Sequence, residues 1–175
     1  MKKNINLNSN FFIVGDIGNT DIKICILKPN YQIINKIIIK NNLIKKKFIE
    51  RKIKILNKYK GKIKKILISS VVPKSYKLIN HFFVKKLKIK SNELKSINYK
   101  KLLKVKVNNN QIGSDRIANA IAANKKNKNF IVIDFGTATT LDVIIGNTYL
   151  GGVIAPGVRL SLDTLTSKAS LIPSI

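Results

Sequence analysis

Tryptophan is absent from this 175-residue chain, cysteine, histidine and methionine occur once each, and only 8 residues are acidic. A single cysteine, Cys25, can form no internal disulfide and has no partners for a zinc cluster, so it is expected to be a small buried thiol in a reducing compartment. The lone histidine, His81, falls in an amphipathic stretch after Pro73, where a structural or exposed role is expected rather than a catalytic one. Long apolar runs are missing as well. Nothing approaches the roughly 18 to 20 residues of a membrane span, and the short run Phe11 to Val14 is cut by Asp16 too early for a signal-peptide core. With 45% apolar residues the chain can still build a core, so a soluble, cytoplasmic globular protein is expected.

What is abundant is lysine. The 34 basic residues give a formal net charge of +26, yet 31 of them are lysines and only 3 are arginines. Lysine, isoleucine (31) and asparagine (21) together make 83 residues. All three have codons rich in A and T, so genome base composition can load them without selection for a partner. A reader of nucleic-acid sequence leans instead on arginine for bidentate contacts. Residues 1–110 carry a net +24 and residues 111–175 a net +2. Such a surface attracts anions, including non-specific nucleic acid through salt-sensitive phosphate contacts.

The hydrophobic pattern predicts three opening strands, over Phe11 to Val14, Ile22 to Leu27 and Tyr31 to Ile39. A helix over Leu43 to Tyr59 follows, with Ile44, Phe48, Ile53 and Leu56 on one face. A short strand, Ile66 to Ile68, then precedes a helix that places Tyr76, Ile79, Phe83 and Leu87 on one side. Phe48, Tyr59 and the pair Phe82-Phe83 are expected to pack the core of this half. Residues 98 to 112 read as a polar connection, and a domain boundary is expected there, giving domains 1–110 and 111–175. An alanine-rich helix, Ile117 to Ala123, follows the capping-type residues Ser114 and Asp115. Strands are predicted over Phe130 to Ile133, Leu141 to Ile145 and Tyr149 to Ile154.

The second half echoes the first. Phe12-Ile-Val-Gly-Asp-Ile-Gly-Asn-Thr20 and Phe130-Ile-Val-Ile-Asp-Phe-Gly-Thr-Ala138 each run from an apolar strand through Asp, an apolar residue and Gly into a polar loop, 118 residues apart. Each then enters another strand, so two related domains facing a cleft are expected. The pairing suits nucleotide phosphates: Gly lets backbone N–H groups approach, Asn and Thr add hydrogen bonds, and Asp holds a cation directly or through water. A single Asp-x-Gly turn is ordinarily only a hairpin. A matched pair in an acid-poor chain carries more, and a third aspartate, Asp115, opens a helix.

At these residues the chain resembles the type III pantothenate kinases, members of the acetate and sugar kinase, heat-shock protein and actin superfamily. The resemblance rests on Asp16-Ile-Gly-Asn-Thr-Asp-Ile-Lys23, Ser69-Ser-Val-Val-Pro73, Gly113-Ser-Asp-Arg-Ile-Ala-Asn-Ala120, Asp134-Phe-Gly-Thr-Ala-Thr-Thr140 and Gly151-Gly-Val-Ile-Ala-Pro-Gly157, in that order. It implies an α/β fold of duplicated ribonuclease-H-like (actin-like ATPase) domains with mixed sheets. It also implies a homodimer that phosphorylates pantothenate with ATP to 4'-phosphopantothenate, the first step toward coenzyme A. Family members continue beyond the position of Ile175, so a C-terminally truncated, incomplete second domain is expected. The alternatives are a non-catalytic regulatory or nucleic-acid-binding relative on the same fold, an inactive truncated remnant, or a superfamily kinase for a sugar or acetate. The motif Gly113 to Arg116 argues against the last of these.

Carried over residue by residue, the resemblance makes Asp115 the general base toward the pantothenate hydroxyl, with Gly113, Ser114 and Arg116 lining the substrate pocket. Asp16, Gly18, Asn19, Thr20, Asp21 and Lys23 form the first ATP loop, with Asp16 beside magnesium. Gly136 and Thr137 grip phosphate from the second loop, and Asp134 is a ligand of a monovalent cation, potassium or ammonium. On residue type alone, Ser114-Asp115 is ordinarily a helix cap, Lys23 is equally a solvent-facing strand residue, and Arg159 is either a surface residue or one that reaches phosphate or the dimer partner.

Overall fold

The structure is a computed structural model. It describes residues 10–44, 46–125, 128–169 and 173, with the side chains of 46–48 outside the description. The expected core role of Phe48 therefore lies outside the described residues. The chain divides into two units, Met1–Ile97 and Asn98–Ile175, so residues 98–110 belong with the second.

In the first unit, strands β1 (Phe11–Ile17), β2 (Asp21–Leu27) and β3 (Ile33–Lys40) form an antiparallel meander. Helix α1 (Lys46–Ile53) leads to β4 (Ile63–Ser70), which pairs parallel with β1. Helix α2 (Pro73–Phe82) leads to the short β5 (Asn92–Glu93), parallel with β4. The sheet order is β3-β2-β1-β4-β5. Three antiparallel strands continued by parallel ones make the ribonuclease-H-like plan. Alternation does the sorting: Ile13 and Ile17, Ile22, Ile24 and Ile26, Ile37 and Ile39, and Ile66 and Ile68 are buried on one sheet face. Helices α1 and α2 cover that face with Ile49, Ile53, Ile79 and Phe82, joined by Phe83, and Phe11 meets Tyr59 edge to face.

Several elements depart from their expected bounds. The helix expected over Leu43 to Tyr59 is α1 followed by a tighter 3-10 turn, Lys54–Tyr59. Tyr31 lies outside β3, in a left-handed conformation (φ 62°), and stacks on Phe12. Cys25 is half-buried on the opposite sheet face rather than in the core. Pro73 occupies the first turn of α2, where its missing N–H costs no hydrogen bond.

In the second unit, β6 (Lys104–Val105) precedes α3 (Ser114–Ala123), and β7 (Phe130–Phe135), β8 (Ala138–Ile145) and β9 (Thr148–Pro156) repeat the antiparallel meander. The order is β6-β9-β8-β7, with β6 parallel to β9. Helix α4 (Val158–Lys168) follows. The stretch read as a polar connection is folded, because Tyr99, Leu103 and Ile112 are buried in this unit.

Candidate active site

The first phosphate-type loop is the β1–β2 hairpin. Asp16, next to last in β1, is half-buried, and its register partners are Lys23 on β2 and Ser69 on β4. Lys23 therefore stands on the same sheet face as Asp16, directly across from it, with its side chain exposed. The turn closes through the Gly18 N–H donating to the Asp21 carbonyl at 2.9 Å, leaving Asn19 and Thr20 exposed at the tip. The Asp21 carboxylate meets Lys40 Nζ at 3.0 Å, so its charge is directed to the neighbouring strand. A Cβ at Gly15 would lie 2.7 Å from Ile68 Cδ1 and 3.1 Å from the Lys23 carbonyl, so the buried neighbours would have to shift to accept one.

The loop is held from behind by a residue that the sequence did not single out. Asn41, buried just after β3, donates from Nδ2 to the Gly18 carbonyl at 2.7 Å and accepts at Oδ1 from Ser75 Oγ of α2 at 2.6 Å. Its backbone N–H also donates to the Thr20 carbonyl at 2.8 Å.

In the second unit, α3 begins at Ser114, one turn earlier than expected. Its N-cap is Gly113, and no side chain caps it. Ser114 and Asp115 therefore sit inside the first turn rather than before it, which corrects the cap reading. Ser114 is buried, and Asp115 is half-buried, with Oδ1 accepting from the Arg116 N–H at 2.8 Å. A carboxylate in the first turn faces the positive end of the helix dipole, a favourable placement for an acidic side chain.

The Arg116 guanidinium is committed to a buried partner. Its Nε donates to Asp142 Oδ1 at 2.8 Å, and its Nη2 lies 2.6 Å from the same oxygen. Tyr149 Oη donates a short hydrogen bond to it too. Asp142 is only 1% exposed, and its Oδ2 is buried with no hydrogen-bond partner. Burial pulls the Arg116 pKa down, and the hydrogen bond and charge of Asp142 more than reverse this, so it ends above the ordinary arginine range. Burial, then the hydrogen bond to Asp142 and its charge, push the Tyr149 phenol up. Removing either charge would strand the other, at a cost on the order of 3–5 kcal/mol. Gly152 makes room for the cluster, because a Cβ there would lie 2.8 Å from both Arg116 Nη2 and Asp142 Oδ1.

The second phosphate-type loop is the β7–β8 hairpin. Asp134 accepts at Oδ2 from Asn119 Nδ2 of α3 at 3.0 Å, and across the ladder it faces Thr140, whose Oγ1 is buried without a hydrogen-bond partner. Gly136 and Thr137 are exposed at the tip, with the Gly136 N–H donating to the Ala138 carbonyl at 3.0 Å. The turn after β9 supports this loop. The Gly157 N–H donates to the Thr137 carbonyl at 3.1 Å, and a Cβ on Gly157 would collide with the carbonyls of Gly136 and Thr137. This gives the Gly151 to Gly157 motif a physical reason that its order alone did not reveal. Arg159 extends into solvent, 3.9 Å from Asp163.

The oxygen donors present suit hard cations. Among the described residues no group of three or more His, Cys, Asp or Glu could cage a metal. Asp16 is one carboxylate that could hold a magnesium ion alongside nucleotide phosphates. Asp134 with the orphaned Thr140 hydroxyl fits a monovalent cation. No helix among the described residues is long and apolar enough to cross a membrane.

Residues 12–175 match the family model for type III pantothenate kinase. The type III pantothenate kinase of Pelagibacter ubique is 54% identical over 93% of this chain and 66% of its own length. That of Desulforapulum autotrophicum is 38% identical over 77% of this chain and 51% of its own. The chain thus spans between about half and two thirds of the length of these curated relatives. Among solved structures, a Campylobacter jejuni protein provisionally described as a Baf family transcriptional activator aligns with TM-score 0.53 at 21% identity, covering 92% of this chain and 63% of that one. That likeness is one of fold.

Proposed function

The chain belongs to the type III pantothenate kinase family, and from that premise we propose that it transfers the γ-phosphoryl group of ATP to the hydroxyl of pantothenate. The product, 4'-phosphopantothenate, opens the route to coenzyme A. The observation that carries this reading is the local geometry of Asp115: a half-buried carboxylate in the first turn of α3, oriented by the Arg116 N–H beside the buried Arg116–Asp142 pair.

In this mechanism Asp115 accepts the hydroxyl proton as the oxygen attacks phosphorus. The bond from the γ-phosphorus to the β,γ-bridging oxygen breaks, and ADP leaves with the electron pair. Arg116, with Gly113 and Ser114, binds pantothenate. Asp142 absorbs part of the guanidinium charge, so Arg116 acts through its remaining N–H donors. The loop from Asp16 to Lys23 binds ATP, and Gly136 and Thr137 donate to its phosphates. Asp16 would hold magnesium, and Asp134 with Thr140 a potassium or ammonium ion. Bound cations supply charge neutralisation at the phosphates. The cytoplasm as location and a homodimer as working form belong to the same reading.

The test is phosphorylation of labelled pantothenate by the purified chain with ATP, magnesium and potassium, beside Asp115→Asn. The expected outcome is turnover by the parent chain and a loss of about 10²-fold or more in the variant, the lower end of general-base contributions. A folded parent chain with no turnover would overturn the reading for this chain.

A further inference from the structure

Asn41 lies outside every motif used above, yet its side chain makes the 2.7 Å contact that fixes a carbonyl of the first loop. The orientation of its amide is unambiguous. The Gly18 carbonyl can only accept, so the nitrogen must face it, and the oxygen is then left to accept from Ser75 Oγ at 2.6 Å. Both Asn41 and Ser75 are buried, at 8% and 5% exposure, so water competes little for these bonds.

A trans peptide puts its C=O and the following N–H on opposite sides. Pinning the Gly18 carbonyl toward Asn41 therefore turns the Asn19 N–H away from it, at the exposed tip of the loop. A backbone N–H held outward at such a tip is a donor for an anionic oxygen. Gly18, with no side chain, lets the peptide take this orientation without a Cβ crowding the Asp21 carbonyl, which would lie at 3.3 Å.

We propose that Asn41, braced by Ser75, is a positioning residue that aims the Asn19 N–H of the first loop at a nucleotide phosphate. The proposal rests on the ATP reading of that loop. A latch of this kind acts on phosphate and not on the base or ribose, which separates it from a role in folding alone.

Calorimetric titration of the whole chain with magnesium-ATP and with adenosine tests it, on the parent, Asn41→Asp, Asn41→Ala and Ser75→Ala. Asn41→Asp keeps the shape but cannot donate to the Gly18 carbonyl. ATP affinity is expected to fall about tenfold in both Asn41 variants, and by less in Ser75→Ala, with adenosine affinity unchanged. A folded Asn41→Asp that binds ATP as the parent does would overturn the proposal, as would equal losses for ATP and adenosine. If the Asn41 variants do not fold, Ser75→Ala decides, and undiminished ATP affinity there overturns it. A parent chain that binds no ATP would instead overturn the nucleotide reading of the loop, a failure visible before any variant is compared.

Discussion

Tyr149 is buried and donates to a carboxylate that already serves Arg116, and burial first, then that hydrogen bond, makes its proton unusually hard to remove. Its folded-state pKa is raised, so the folded chain holds the proton more tightly than the unfolded chain, whose tyrosine titrates near ~10. The stabilisation is fully present below that unfolded value and is lost as pH rises toward the folded one, at about 1.4 kcal/mol per pH unit. Denaturant midpoints measured from pH 9 to pH 11 are expected to fall for the parent relative to Tyr149→Phe, which lacks the ionisable group. A constant gap between the two proteins across that range would show that the phenol is not held this way. Of this cluster only Arg116 was singled out beforehand, without its partners Asp142 and Tyr149. Asp142 falls inside a predicted strand as one polar residue among apolar ones, and only the cross-strand geometry reveals that it faces α3. Asn41 is hidden differently, as one of 21 asparagines in a chain loaded with them. By contrast Asp16, Asp115 and Asp134 stood out because acidic residues are so few.

At the scale of elements, the repeated hairpin was readable because strand alternation and the Asp-x-Gly turn are both local signals. The structure places them at equivalent points of two meanders, β1–β2–β3 and β7–β8–β9. Where the signal was not local, the expectation failed. Residues 98–112 bury Tyr99, Leu103 and Ile112 far apart in a lysine- and asparagine-rich stretch, and the alternation Leu103-Lys-Val105-Lys-Val107 around β6 is too short to stand out there. One consequence of the meander in the second unit is a row of apolar residues on the sheet face opposite α3. Ile133, Leu141 and Val153 face one another across β7, β8 and β9, and Ile131 and Phe135 flank them on β7. Ile133, Val153 and Phe135 are 51%, 63% and 72% exposed, and β7 is at the end of its sheet. An apolar edge strand is a template for pairing with other chains. Ile133→Lys is expected to lower concentration-dependent light scattering and the binding of an apolar dye, with the far-UV circular dichroism unchanged. Unaltered scattering in that variant would mean that this face is not the sticky one.

For the whole molecule the dominant physical fact is charge. A net +26 raises the potential around the chain enough to attract ATP and any polyphosphate alike. Whether that charge selects a partner depends on which cation supplies it. Lysine is a hydrated point charge that neutralises phosphates without reading bases, whereas base recognition draws on the planar fork of arginine. Of the three arginines, Arg116 is buried against Asp142 and Arg159 lies near Asp163, which leaves few forks for sequence readout. Binding to duplex DNA is therefore expected to be counterion release alone. For about six phosphate contacts the affinity should drop roughly a thousandfold between about 50 and 200 mM salt, with the same slope for unrelated sequences. Fluorescence anisotropy on two duplexes of different sequence, titrated across that range, checks this directly. Equal slopes that vanish into weak binding at the higher salt fit an enzyme whose lysines reflect base composition. A preference for one duplex that persists at 200 mM would require a base-reading surface, and would favour a regulatory protein on this fold over the kinase.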